Sequence, residues 1–281
     1  MGLKLESIGE LSSVLKLLGD GLSEYSFSNL YLFRLAHDYR LIDGDYRFVA
    51  GTTYDGERHL MPLFELSDAP VSYLREALKD YDCFYPISEQ SLARLDKAMF
   101  SHRNNNDDND YVYPAENFLN YGGRVLRKKR NLMHQYHRAG ETQVFPMKEG
   151  NVADAVGILD AWQKEKGKSR SETDYEACLE ALKNHDRLGM EAYVHYCNGQ
   201  CTGFVMGKGL GADICAIQFA KGLSAYKGVF PAMFHDFATR KKDRYQHYNF
   251  EQDLGIVNFR KNKLSYRPEK LLKKYRVQVT H

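Results

Sequence analysis

From residue 142 onward the apolar residues switch between the two-residue repeat of a strand and the 3.6-residue repeat of a helix, and this order constrains the fold more than any single motif does. The pattern predicts a strand over 142–147 and helices over 152–166 and 172–185, with Ser171 and Asp174 as a capping box. Strands follow over 190–197 and 200–208, joined by Asn198-Gly199, then a strand over 213–219, a helix over 228–241, a strand over 245–250 and a basic helical tail. A strand, two helices, a three-stranded meander, a helix and a last strand make a mixed α/β layer with helices packed on a sheet.

The first half runs in a similar order without a residue-level repeat. Leu11, Val14, Leu15 and Leu18 share a helical face, and Ser28 is placed to cap a second helix carrying Leu30, Phe33, Leu35 and Leu41. Residues 46–50 and 59–64 flank Asp55-Gly56 as a hairpin, and helices over 71–80 and 89–99 bracket the short apolar strand Cys83-Phe84-Tyr85. Residues 101–110 are so rich in Asn and Asp that they read as an exposed loop, without the glycine and terminal glutamate of an EF-hand. Glu116 to Arg138 reads as a long helix interrupted at Gly122-Gly123. With 281 residues, two domains are expected, 1–125 and 126–281, the second carrying the site.

Composition narrows the function classes. A hydrophobic fraction of 43% is that of an ordinary folded protein, and no apolar run is long enough to span a bilayer, so a cytoplasmic protein without a transmembrane segment is expected. Five scattered cysteines form no C-x-x-C pair and read as reduced, mostly buried thiols. His134 and His137 are spaced to bridge a metal, but no third ligand accompanies them, and no metal is expected. The formal net charge of +2 hides an asymmetry: residues 1–110 hold 11 Lys/Arg against 19 Asp/Glu, whereas residues 239–276 hold 12 against 4. An anion therefore belongs at the C-terminal end, while so small a net charge speaks against DNA or general RNA binding.

Two places suit chemistry. The turn from the strand over 213–219 into the helix over 228–241 carries Lys221, Lys227 and Gly228, where backbone N–H groups at a helix start favour a phosphate; the plain alternative is an ordinary turn with two solvated lysines. At the end of the strand over 245–250 stand Glu251 and Asp253, followed by Arg260, Lys263 and Tyr266. Ligands bind at such strand ends in open α/β sheets. A carboxylate there takes a proton from an attacking amine or anchors it as ammonium, Tyr266 returns a proton to the leaving group, and Arg260 and Lys263 hold phosphate or keep the carboxylates ionised. The plain alternative makes Asp253 a helix cap and pairs Arg260 with Glu251 across the turn. Lys128, Lys129, Arg130 and Asn131 add a basic helical segment, for substrate or for structure.

Tyr111-Val112-Tyr113, Arg127-Lys128-Lys129-Arg130-Asn131, and Gln252-Asp253-Leu254-Gly255 followed by residues 260–269 together give the chain a resemblance. From about residue 20 to 277 it is similar to bacterial proteins related to the C-terminal domain of phosphatidylglycerol lysyltransferase. The resemblance implies two tandem GNAT-like (acyl-CoA N-acyltransferase) domains, an α/β (α+β) fold of mixed sheets flanked by helices. It implies acyl or aminoacyl transfer from a CoA thioester or an aminoacyl-tRNA to a small-molecule or lipid-like acceptor, with no tightly bound cofactor. A GNAT-like protein that has lost catalysis and only binds a ligand or partner is the alternative.

Overall fold

The computed structural model describes residues 2–280, which divide into two compact units. One comprises residues 2–111, 251–260 and 270–280, and the other residues 112–250 and 261–269, so segments from the end of the chain return to both.

The first unit opens with helices α1 (Ile8–Leu18) and α2 (Phe27–Leu32). Its six-stranded sheet runs in the order β1 (Arg40–Ile42), β2 (Phe48–Thr52), β3 (Arg58–Pro62), β4 (Cys83–Ile87), β13 (Tyr275–Val279), β5 (Phe100–Asn104). The expected hairpin is β2–β3, antiparallel, and β3 is parallel to β4. Between β3 and β4 lies α3 (Val71–Ala77), and the short α4 (Glu89–Leu92) follows β4. Phe48, Leu60, Leu74, Phe84, Ile87 and Val277 form its buried core.

Several local expectations need correction here. Ser26, not Ser28, caps α2, its hydroxyl accepting from the Asn29 N–H at 3.2 Å. The helix expected over 89–99 stops at Leu92. The segment expected as an exposed polar loop over 101–110 continues β5 as far as Asn104, turns through a 3-10 helix at Asn106–Asp108 and enters the next strand at Asp110, and Asp108, Asn109 and Asp110 are buried. The tail is helical only in α10 (Val257–Leu264), after which β12 (Lys270–Leu272) leads into β13, paired with both β4 and β5. Both departures have one cause. Buried Arg276 on β13 pairs with Asp108 at 3.1 Å and with Asp55 at 2.8 Å, so carboxylates that look solvated in sequence are matched by a cation 168 and 221 residues away in the chain.

The second unit follows the predicted order closely. β6 (Asp110–Pro114) carries the chain into it, followed by α5 (Glu116–Asn120), α6 (Arg127–Arg138), β7 (Thr142–Pro146), α7 (Glu149–Lys166), α8 (Tyr175–Asn184), β8 (Glu191–Cys197), β9 (Gln200–Gly209), β10 (Ile214–Gly222), α9 (Val229–Arg240) and β11 (His247–Asn249). Its seven-stranded sheet runs β12-β6-β11-β10-β9-β8-β7, and from β6 to β7 the pairs are antiparallel except where β10 and β11 run parallel with Ile214 opposite His247. The capping box before α8 is Ser169 with Glu172 rather than Ser171 with Asp174, because the Asp174 carboxylate is spent on Lys221.

Candidate functional site

The loop after β11 is built around Asp253. Tyr248 and Asn249 are buried in the sheet, and the chain leaves it through Glu251, Leu254 and Gly255 at positive φ (56°, 54° and 73°). That turn brings the Asp253 carboxylate under its own backbone. It accepts from the Gly255 N–H at 2.9 Å, from Tyr111 Oη at 2.6 Å, and from Arg260 Nε and Nη2 at 2.7 and 2.8 Å. Burial works to raise its pKa, but the bonds from Arg260, Tyr111 and Gly255 outweigh it and hold the group below the ordinary carboxylate range. Arg260 also reaches Asp107 at 2.5 Å. Arg260 thus pairs with Asp253 rather than with Glu251, whose carboxylate accepts from Asn29 Nδ2 at 3.2 Å.

Beside this loop lies a cluster that sequence reading missed. Lys274 is fully buried, with Glu24 and Asp110 each 2.6 Å from its Nζ and Gln252 Oε1 at 3.0 Å. Burial alone would discharge the amine, yet Asp110 and Glu24 push its pKa up to about 12. Glu24 is raised by burial, which outweighs the pull of Lys274. No local signal marks these residues, because Glu24, Asp110 and Lys274 meet only once β13 is in place.

The remaining sequence candidates lie in the second unit. Tyr266 is buried among Phe118, Tyr121, Phe234 and Phe250, and burial raises its phenol well above its ordinary value. Lys129 Nζ sits 3.6 Å from the centre of the Tyr266 ring, and burial, with Lys128 beside it, lowers that lysine to about 8. Lys263 donates to the Phe250 carbonyl. On α6, Arg127, Lys128 and Asn131 are exposed, while Arg130 turns inward to the Tyr121 carbonyl at 2.7 Å. No acidic residue occupies the first turn of this helix.

At the start of α9 the geometry is tight. Gly228 adopts φ +91°, and a Cβ there would lie 1.9 Å from the Leu132 carbonyl of α6. The Val229 N–H donates to the Tyr226 carbonyl at 3.1 Å, the Ala232 N–H to Gly228 at 3.1 Å, and Pro231 has no N–H. Lys221 is buried, both Asp174 oxygens 2.7 Å from its Nζ and the Trp162 ring beneath it at 3.8 Å, whereas Lys227 is exposed.

Two mixed sheets flanked by helices, with a parallel strand pair beneath a helix in the second unit, make this a protein of two tandem GNAT-like domains. The chain belongs to the family of the C-terminal domain of phosphatidylglycerol lysyltransferase, whose model matches residues 15–278. It is a family of transferases. Among solved structures, a conserved protein of unknown function from Bacteroides thetaiotaomicron VPI-5482 superposes with a TM-score of 0.88 at 20% identity, covering 100% of this chain and 99% of that one. The C-terminal domain of a protein described as a lysylphosphatidylglycerol synthetase from Agrobacterium fabrum gives 0.66 at 16% identity, over 98% of this chain and 92% of that one. L-PGS from Bacillus licheniformis gives 0.63 at 15%, over 96% and 90%. At such identities the likeness establishes the fold. No curated protein matches the chain. Among the described residues no helix is long and apolar enough to cross a membrane.

Proposed function

We propose that the protein is an aminoacyltransferase that moves an aminoacyl group from aminoacyl-tRNA to a hydroxyl or amine acceptor. The observation that carries the choice of donor over acyl-CoA is the closed start of α9. A pyrophosphate bound there needs free N–H groups and room for its oxygens. Here the Val229 and Ala232 N–H groups are taken, residue 231 is proline, and the Leu132 carbonyl occupies the approach to Gly228. Lys221, the buried lysine beside that turn, is neutralised by Asp174. Phosphates are better served by α6, whose exposed Arg127 and Lys128 stand in the first turn, where the helix dipole disfavours cations. A bound phosphate offsets that cost.

In the transfer, the acceptor oxygen or nitrogen attacks the ester carbonyl, the 3′-oxygen of the tRNA leaves, and the proton lost by the acceptor ends on that oxygen. Glu251 is the proton acceptor in this reading. Asp253, which already takes four hydrogen bonds, is a positioning residue that fixes the loop carrying Glu251. Lys263 and Tyr266 hold the segment that follows, and Tyr266 supports Lys129 from below.

A thermal-shift titration against CoA, acetyl-CoA and a charged tRNA pool tests the donor. Bound donor stabilises the native state by mass action, so charged tRNA alone should raise the midpoint, and the rise should fade with salt and in Arg127→Ala/Lys128→Ala. A CoA-dependent shift that survives this double variant would overturn the reading. The saturated Asp253 also suits a binding protein without catalysis; that second reading predicts the same shift with no release of deacylated tRNA when acceptor is added.

A further inference from the structure

We propose that Lys129 and the Tyr266 hydroxyl form a binding site for the carboxylate of a small organic acid, set against the aromatic cluster of the second unit. The site does not rest on the transfer reading, because it is defined by what these two side chains lack, whichever donor the protein uses.

Three basic side chains reach this cluster, and two of them meet an acceptor. Arg130 donates to the Tyr121 carbonyl at 2.7 Å, and Lys263 donates to the Phe250 carbonyl. Lys129 has neither a carbonyl nor a carboxylate among the described residues. Its Nζ lies 3.6 Å from the centre of the Tyr266 ring. A ring face attracts the charge, but it does not take the N–H bonds that an ammonium can give. Burial, with Lys128 beside it, lowers the amine to about 8, and no acidic group pulls it back up. A desolvated cation next to another cation is a costly arrangement that a bound anion relieves. The first turn of α6, where Lys129 stands, adds the positive end of the helix, with no acidic residue and no side-chain cap.

Tyr266 supplies the second donor. It is 3% exposed, packed against Phe118, Phe234 and Phe250, and its hydroxyl makes no hydrogen bond. Burial alone raises its phenol, with no contribution from a partner. A buried hydroxyl left unpaired calls for an explanation, and neighbouring Tyr121 shows the usual one by donating to the Pro231 carbonyl at 2.8 Å. Because the Lys129 ammonium stands over the ring that carries this hydroxyl, the two unused donors are within reach of the two oxygens of one carboxylate.

The donors select the ligand. A partly discharged amine and a phenol bond best to a basic oxyanion, and a carboxylate is a much stronger base than a phosphodiester. A phosphate monoester brings up to a second negative charge, which one half-buried ammonium does not balance. The aromatic walls favour an acid with an apolar body.

Calorimetric titration with propionate, 3-phenylpropionate, 3-phenylpropionamide and methyl phenyl phosphate at pH 7 tests this. 3-Phenylpropionate should bind saturably, the amide at least about tenfold more weakly, and the phosphodiester more weakly than the acid. Lys129→Met should lower the affinity for the acid at least about tenfold, and Tyr266→Phe, which keeps the ring, about threefold or more. Lys128→Met, at an exposed position, should leave it within about threefold. Unshifted melting midpoints will show that the variants fold. In the wild type the affinity should fall above about pH 8 as Lys129 discharges, and Lys129→Arg should bind the acid without that fall. Equal binding of acid and amide, undiminished binding by Lys129→Met, or tighter binding of the phosphodiester would overturn the proposal. The absence of saturable binding by either acid would overturn it as well.

Discussion

Asp253 and Lys274 show how differently two buried charges can be used. Asp253 is surrounded by donors, and Arg260, its main partner, is 40% exposed, so water can take over part of that pairing. Asp253→Asn should therefore cost only about 1–3 kcal/mol, read by denaturant titration. Its effect on transfer separates two roles: as a positioning residue it should leave kcat within about tenfold of wild type, whereas loss of a general base typically removes about 10²–10⁴-fold. Lys274 faces two carboxylates with no solvent to help, so Lys274→Met should cost about 3–5 kcal/mol, and pairing it with Glu24→Gln should recover part of the loss. The sequence showed Asp253 and Arg260 within one short stretch, and their nearness alone suggested an interaction. That Asp253 rather than Glu251 takes the arginine was not legible, because the choice is made by Tyr111 and Asp107, both more than 140 residues away.

At the scale of elements, legibility follows the range of the interactions that build each one. The second unit's strands and helices each carry their own periodicity and turn residues, Asn198-Gly199 between β8 and β9 being one case, and they were read within a few residues of their bounds. The segment over 101–110 and the chain after Tyr266 failed because composition was weighed without the partners that burial supplies: Asp108 awaits Arg276, and β13 finds its place only between β4 and β5. Helix packing at the start of α9 was equally invisible, and it makes a graded prediction. Gly228→Ala must open the contact with the Leu132 carbonyl and strain φ +91°, so it should cost about 3 kcal/mol or more. Gly56→Ala, at φ +92° with open space around it, should cost about 1 kcal/mol, and Gly122→Ala, with nothing near, close to none. Thermal melts of the three would rank them. Equal losses at Gly56 and Gly228 would mean that backbone strain, not the approach of α6, governs the site.

Across the whole molecule, each unit buries a histidine that its surroundings keep neutral. Burial, with His37 and Arg276 nearby, lowers His59 to about 3 in the first unit, and burial, with Arg240 and His137, lowers His195 to about 3 in the second. The unfolded chain takes up these protons near pH 6.5, while the folded chain does not until about pH 3. Between those limits the unfolded state binds more protons, so stability falls as pH falls, by about 1.4 kcal/mol per pH unit for each histidine. Glu24 and Asp236, both raised by burial, act in the opposite sense, since the folded state binds their protons first as pH falls toward the ordinary carboxylate range. The net slope is therefore less informative than its change on substitution. His195→Leu removes one of these two buried histidines and should flatten the loss between pH 6.5 and 5 by about 1.4 kcal/mol per unit, measured by urea titration at a series of pH values. His195 lies 3.5 Å from Asp236, so a slope unchanged by His195→Leu would mean that the pair takes up its proton together and that the histidine is not held neutral in the fold.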